Sequence, residues 1–554
     1  MMASCRLFVE KSFPAVLLTN FMEYQTLMKE VKVLSEFAPV GFVRDVKGDT
    51  VSFFLNQGVS LSFGQIVRID SESRSFYARV VDAGSSSTLN TNEQLREAEG
   101  KESFGPYSSF RHVDAILFLE RHGERTRSPT FNPNYMDRVY ETNEDDYSVL
   151  RLSGDLEIGR LRSGEDVLGE VGISVKAIPK MMGMFGMTGS GKTNTELILN
   201  ARIIDNPETV GLIFDFAGQL LSGKDIGAAS GLRDHPLFHS KVRYYSTRDG
   251  KLSIGLHTLT PGRLWTIFPD ISKPQVRVAR RLYEQLGKCW IEQALEIYRV
   301  EGHAGIGRII GPQNKSAVGA LMSKLSDLPP NLYPPSNYNF IDDVVQNVSQ
   351  GITCLIDISG LTSEEQQNVT CLTASNVAYH YKTLWERNFE EWKKLPTLLI
   401  TLEEAHEFLD PEIHKTIFSN IALTYRKYRV GLNAVTPRPS KINRDVFAEL
   451  WTKVIMKTEL KRDRDYLTQN TPYMEYSDTE IKMLDIGEAL LISEPQIRFA
   501  VPLKVLHYPD YLKTRGKADY DLPPSKPLSE MDERLKRLKA AGESLTAGGK
   551  TKGS

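Results

Sequence analysis

Residues 186–193 fit the spacing G-x-x-x-x-G-K-[ST] without a gap. That spacing suits one kind of chemistry, the cradling of a nucleotide's phosphates. Gly186, Gly189 and Gly191 let the backbone wrap close around an anion where side chains would clash. The N–H groups of Thr188, Ser190 and their neighbours as far as Asn194 point at the phosphates from the loop and the start of the next helix. Lys192 reaches the β and γ oxygens, and Thr193 offers its hydroxyl to Mg²⁺. Hydrolysis also needs acidic groups. Residues 398–402 run as a mostly apolar stretch directly into Glu403, Glu404, Ala405 and His406. At a strand end Glu403 orients Mg²⁺ through its water, and Glu404 polarises the attacking water as general base. A surface helix start would also suit two glutamates, but the run before them argues for a buried strand. His406 either senses the γ-phosphate or packs.

These groups need a scaffold that brings strand ends together. Residues 174–185 read as a strand that begins late, because Pro179 lies within it, and 194–204 carry apolar residues at helical spacing. Short apolar strands at 210–215, 352–358, 397–402 and 430–435 alternate with helical stretches, including 275–300 and a long helix over 363–392. Segments 454–456 and 488–492 end the sheet. This alternation predicts an α/β fold with a mostly parallel sheet covered on both faces. Ahead of it, segments 41–46, 50–55, 64–69 and 75–81 are separated by turn residues, the rhythm of a small β-barrel. Strand character returns at 113–119, and the stretch through Ile158 to Leu161 reads as barrel completion and a linker.

The expected organisation is an N-terminal extension over 1–37 and a barrel over 38–175 with a flexible polar insertion at 84–107. An ATPase core follows over 176–505, with a helical insertion at 257–345. A C-terminal extension over 506–554 carries a charged helix and a disordered tail.

Composition narrows the classes. The chain has 554 residues, 41% of them hydrophobic, as in soluble globular proteins. A net charge of -2 gives no global sign of nucleic-acid binding. Cys5, Cys289, Cys354 and Cys371 lie far apart with no C-x-x-C, which argues against a disulfide framework and a zinc site. The absence of a signal peptide and of an 18-residue apolar run predicts a cytoplasmic protein without a membrane partner.

Taken together, residues 187–194, Glu403 to His406 and Arg438 to Ser440 resemble the HerA branch of the HerA/FtsK ATPases. Residues 214–219 resemble that family's strand-Asp-x-x-Gly-Glu segment, and 355–361 its Asp-x-Ser-Gly strand. The resemblance covers roughly residues 38–505. It implies a RecA-like P-loop ATPase core with a helical insertion, preceded by an N-terminal small β-barrel, assembled as a homohexamer with ATP and Mg²⁺ at each interface. It implies that Asp215 lies near the nucleotide, although an ordinary strand-end Asp would read the same way. Residues 425–428 match the family's Gly-Arg-Lys-aromatic segment, which makes Arg426 the candidate for a cation donated to the neighbouring subunit; an exposed helical Arg is the other reading. The sequence departs from the family at Pro437, where a Gln is usual. Proline has neither a side-chain amide nor an N–H, so either Asn433 or Thr436 takes over or the coupling between hydrolysis and motion is altered. Gln219 stands where Glu is usual.

The resemblance implies a ring that engages and translocates double-stranded DNA with a partner, either a NurA-type nuclease or an anti-phage effector. The other expectation is a hexameric scaffold, stabilised by ATP, that activates a toxic effector without productive translocation. Lys224, Lys441, Arg444 and the run from Lys461 to Arg464 are candidate phosphate contacts on DNA, although mixed charge is common on any surface.

Overall fold

The computed structural model describes residues 38–87 and 109–520, apart from 165, 223–226, 228–229, 234–237, 239, 269, 335–337 and 412–415. The N-terminal extension, the tip of the polar insertion, Lys224 and the charged C-terminal helix with its tail lie outside the described residues.

The first sheet runs in the order Thr50–Leu55, Gly41–Lys47, Arg138–Glu141, Ile66–Ser71, Arg74–Ser87, Ser109–His122 and Arg125–Arg127. Thr50–Leu55 also pairs with Ser109–His122, which closes the sheet into a barrel and leaves Arg125–Arg127 as an outer flap. Alternate residues along each strand point inward. Val43, Val51, Phe53, Ile69, Phe76 and Val113 therefore fill the interior. Two strands outrun their expected bounds. Arg74–Ser87 and Ser109–His122 stay paired as far as Ser87 and Ser109, so residues 84–87 of the expected insertion belong to a strand. Cross-strand pairing recruits its Ser and Gly residues despite their weak strand propensity.

The second sheet has 11 strands among the described residues. Seven are parallel, in the order Val242–Ser246, Thr353–Asp357, Thr209–Asp215, Thr397–Leu402, Val430–Thr436, Met182–Phe185 and Thr452–Met456. Four antiparallel strands extend it: Glu488–Ser493, Ile497–Val505, Leu156–Ser163 and Asp166–Ile173. The strand Met182–Phe185 is buried throughout, as a strand covered on both faces must be. Pro179 ends up in the turn Val175–Lys180 ahead of it, which accounts for the late start.

The hairpin 156–173 corrects the expected barrel boundary. It pairs with the ATPase sheet, Leu161 opposite Leu503 and Gly159 opposite Val505, instead of completing the barrel. Its apolar residues Ile158, Leu161 and Val171 share a core with Leu197 and Ile198 of the phosphate-loop helix. Period-two patterning looks the same in either sheet, so sequence alone placed the hairpin wrongly. Two helix expectations also split. The stretch 275–300 is divided between Lys273–Leu286 and Trp290–Ile310, because Gly287, at φ 68°, ends the first helix. The long helix over 363–392 ends at Arg387, and Asn388 caps a new helix Phe389–Lys394. Edge strand Val242–Ser246 was not expected at all.

Candidate functional site

The chemistry gathers at the C-terminal ends of the parallel strands. Met182–Phe185 leads into the phosphate loop, and the helix Lys192–Asp205 leaves it. Gly189 at φ 83° and Gly191 at φ 103° take backbone angles that side chains rarely allow. The Lys192 ammonium folds back to donate to the carbonyls of Gly186 at 2.7 Å and Met187 at 2.9 Å. Those oxygens hold it at the loop, beside the space that phosphate oxygens would fill. Burial lowers its pKa, and nearby Glu404, Glu196 and Glu403 oppose the shift. The Thr193 hydroxyl donates to Gln219 Oε1 at 3.2 Å.

A cleft of about 770 Å³ opens over the loop. Of the expected nucleotide contacts, Thr188, Gly189, Gly191, Lys192, Thr193 and Asn194 line it, together with Glu403 and Glu404. Ser190 is buried behind the loop and does not line the cleft: its hydroxyl meets Met456 Sδ, and its N–H donates to Met187 O at 3.2 Å. The Asn194 side chain is engaged elsewhere. Its amide donates to Leu506 O at 2.8 Å, and its oxygen accepts from Tyr508 N at 2.9 Å.

Glu403 ends the strand Thr397–Leu402, and its Oε2 accepts from Phe216 N at 2.9 Å. Burial, helped by the neighbouring Asp215, pushes its carboxyl up to about 8. Asp215 is fully buried, and its Oδ1 accepts from Gln219 N at 3.1 Å, so it builds the turn that presents Gln219 to Thr193. Glu404 sits at φ 47°, a left-handed conformation costing about 1–3 kcal/mol for such a residue. Its half-exposed carboxylate faces into the cleft, 3.3 Å from His406 Nδ1. His406 Nδ1 is also 3.0 Å from the Thr436 hydroxyl, which accepts from Arg438 N at 3.0 Å. Thr436 and Pro437 line the cleft. Asn433 is fully buried mid-strand, three residues short of that end, and does not line the cleft.

Several site residues carried no sequence signal. Glu196, one turn beyond Lys192, lines the cleft with 1% exposure and an unpartnered Oε1. Burial and the carboxylates of Glu403 and Asp215 push its pKa well up. Ile486, Gly487, Lys504, Val505 and His507 wall the far end. Among the described residues no cluster of His, Cys, Asp or Glu converges on a directly held metal.

Arg426 lies elsewhere. It precedes the strand Val430–Thr436, whose other end forms the cleft, and its guanidinium stacks 4.7 Å over the Trp451 ring. Seven strand residues separate the two ends, roughly 20 Å at 3.3 Å per residue. Of the DNA candidates, Arg464 is buried and bonded to Asp478 at 2.8 Å. Asp463 beside it accepts from Ser440 N at 3.1 Å, and Lys441 pairs with Asp410 at 3.6 Å. Lys461, Arg462 and Arg444 remain exposed.

A parallel sheet with a phosphate loop at the end of a central strand and a carboxylate pair two strands away defines a P-loop ATPase. Residues 156–377 match the family model described as the helicase HerA central domain. The chain is 25% identical to the DNA double-strand break repair helicase HerA of Sulfurisphaera tokodaii over 63% of this chain and 69% of that one. It is 22% identical to the protein of the same name from Saccharolobus solfataricus, over 63% and 68%. A solved structure, VirB4 of Thermoanaerobacter pseudethanolicus, aligns with a TM-score of 0.43 at 14% identity, over 65% of this chain and 98% of that one. The chain is a P-loop ATPase of the helicase type whose central region, residues 156–377, resembles that of HerA. No helix among the described residues is long and apolar enough to cross a membrane.

Proposed function

We propose that this chain hydrolyses ATP with Mg²⁺ at the interfaces of a homohexameric ring and uses the turnover to move double-stranded DNA, acting with a partner nuclease or other effector. The observation that carries the reading is the division of the hydrolytic groups between opposite ends of the sheet. Lys192, Glu403 and Glu404 meet at one end, while Arg426 stands at the other, out of reach of its own cleft. A ring resolves that division, because one subunit's Arg426 then faces the next subunit's nucleotide.

The donor set fits Mg²⁺. The Thr193 hydroxyl and the carboxylate-rich wall of Glu403 and Glu196 suit a hydrated cation held through water and phosphate oxygens. The bound ion would neutralise charge on the β and γ oxygens. Lys192 exchanges its loop carbonyls for those oxygens. Glu404 takes the proton of the attacking water, and Asp215 positions the Gln219 turn. The HerA relatives are named as double-strand break repair helicases, which supports duplex DNA as the track.

The test is ATP hydrolysis by the purified chain with and without long duplex DNA, using Glu404→Gln as the blank. Stimulation by DNA supports the motor. Glu404-dependent turnover indifferent to DNA moves the reading to an ATP-gated scaffold, which the proline in place of the family's glutamine at 437 favours. The trans role of Arg426 has its own test. Arg426→Ala subunits and Glu404→Gln subunits are each expected to be inactive alone. Mixed, they are expected to regain activity, because some interfaces then combine an intact Arg426 with an intact Glu404. No recovery at any ratio removes Arg426 from that role.

A further inference from the structure

The far end of the cleft is walled by residues at the start of Glu488–Ser493 and the end of Ile497–Val505, about 300 positions beyond the phosphate loop. Ile486 stands 68% exposed at the mouth, an isoleucine that nothing in the described chain covers. Val505 lies behind it. This wall is fastened to the loop by backbone. Gly487 N donates to Ser190 O at 3.1 Å, and Val505 N donates to Gly487 O at 2.9 Å. A Cβ on Gly191 would come within 3.1 Å of Gly487 N, so the two backbones touch. The Asn194 side chain clamps the other edge through Leu506 and Tyr508.

We propose that Ile486 and Val505 form the nucleobase platform of this site and that the platform reads the base by shape alone. The proposal rests on the nucleotide reading above. Its warrant is that Ile486, Gly487 and Leu506 already spend their backbone hydrogen-bonding groups within the chain. Ile486 N donates to Asp485 Oδ1 at 2.8 Å, and Ile486 O accepts from Lys504 Nζ at 3.2 Å. Gly487 uses both its N–H and its C=O, as described. Leu506 N donates to Ile158 O at 3.0 Å, and Leu506 O accepts from Asn194. The imidazole of His507 is 3.0 Å from Asp510 through Nδ1. A base laid on this platform meets an apolar face and few free polar groups. A site built to hydrogen-bond its substrate rejects a mismatched analogue by about 10⁴-fold or more, whereas an apolar pocket discriminates by about 10²-fold at most. The chemical class admitted is therefore nucleoside triphosphates without strict base selection, with adenine and guanine accepted alike.

Displacement of a fluorescent ATP analogue from the full chain by ATP, GTP and inorganic tripolyphosphate tests this. ATP and GTP are expected to bind within about 100-fold of one another. Ile486→Ser, at an exposed position, is expected to weaken both nucleotides together by about three- to tenfold, from the apolar area that stacking covers, and to leave tripolyphosphate unchanged. A preference beyond 100-fold, weakening of one nucleotide only, an equal loss of tripolyphosphate, or no effect of Ile486→Ser overturns the proposal. Lys192→Ala separates the two levels of argument, because it should weaken all three competitors. If the unaltered chain binds neither ATP nor tripolyphosphate, the nucleotide reading itself falls and the platform falls with it.

Discussion

Glu404→Gln is expected to leave ATP bound while turnover drops by about 10²- to 10⁴-fold, the usual worth of a positioned general base. The substitution keeps the shape of the side chain and one oxygen for His406, and removes the negative charge that attracts the water's proton. Geometry favours Glu404 over its neighbour for this role. Glu403 is buried, its carboxylate is tied to Phe216 N, and burial beside Asp215 holds its pKa up to about 8. Glu404 is half-exposed to the cleft and held there by a backbone angle that costs energy in the folded state. A strained residue at a strand end is placed for what its side chain must do, and relaxing it would turn the carboxylate away. Steady-state hydrolysis alongside nucleotide binding checks the prediction. Turnover within threefold of the unaltered protein would take Glu404 out of the base role. Lys192→Ala is expected to behave differently, with binding and hydrolysis falling together, because its ammonium serves the ground state and the transition state alike.

The sequence made the phosphate side of this site readable and left the base side dark. Gly186 to Thr193 are contiguous, so their spacing alone encodes the loop. Glu403 and Glu404 follow an apolar strand, so their position at its end was foreseeable. Ile486 and Val505 carry no such mark. They meet the loop only because two antiparallel strands are added beyond Thr452–Met456, and that pairing is a tertiary choice. Asn194 shows the limit within the motif itself. Its position in the loop helix suggested a nucleotide contact, yet its amide holds the chain after the last strand. Glu196 escaped notice because an acid one turn into a helix reads as surface. Here that turn faces the sheet. The barrel was legible from its turn rhythm, but the strand pair that closes it was not, since Thr50–Leu55 meets Ser109–His122 across a separation that no local pattern records.

The barrel's attachment to the ATPase core supplies the second large effect. Arg79, on a barrel strand, is buried against Glu480 of the core helix Asp478–Met483 and donates to Ser477 Oγ at 2.8 Å. Glu480 Oε1 is also 3.9 Å from Arg162 Nη2, Arg162 Nε is 3.7 Å from Glu488, and Glu488 is 3.9 Å from Lys504 in the nucleotide cleft. Removing one partner of a buried ion pair leaves the other charged and unpaired, at a cost of about 3–5 kcal/mol. Arg79→Met is therefore expected to lower the urea midpoint strongly, while the double variant Arg79→Met with Glu480→Leu should recover most of the loss, since an apolar pair of similar volume needs no compensation. The pH dependence has a definite sign. Burial raises the Glu480 pKa even though Arg79 and Arg162 pull it down. Without Arg79 it rises further, so the folded chain holds a proton that the unfolded chain releases. Stability then falls as pH climbs above the ordinary glutamate value. Arg79→Met should consequently be more damaging at about pH 8 than at about pH 5, and the double variant should lose that dependence. Equal urea midpoints for Arg79→Met and the unaltered chain at both pH values would show that the barrel is held by its apolar contacts and that this ion pair contributes nothing net.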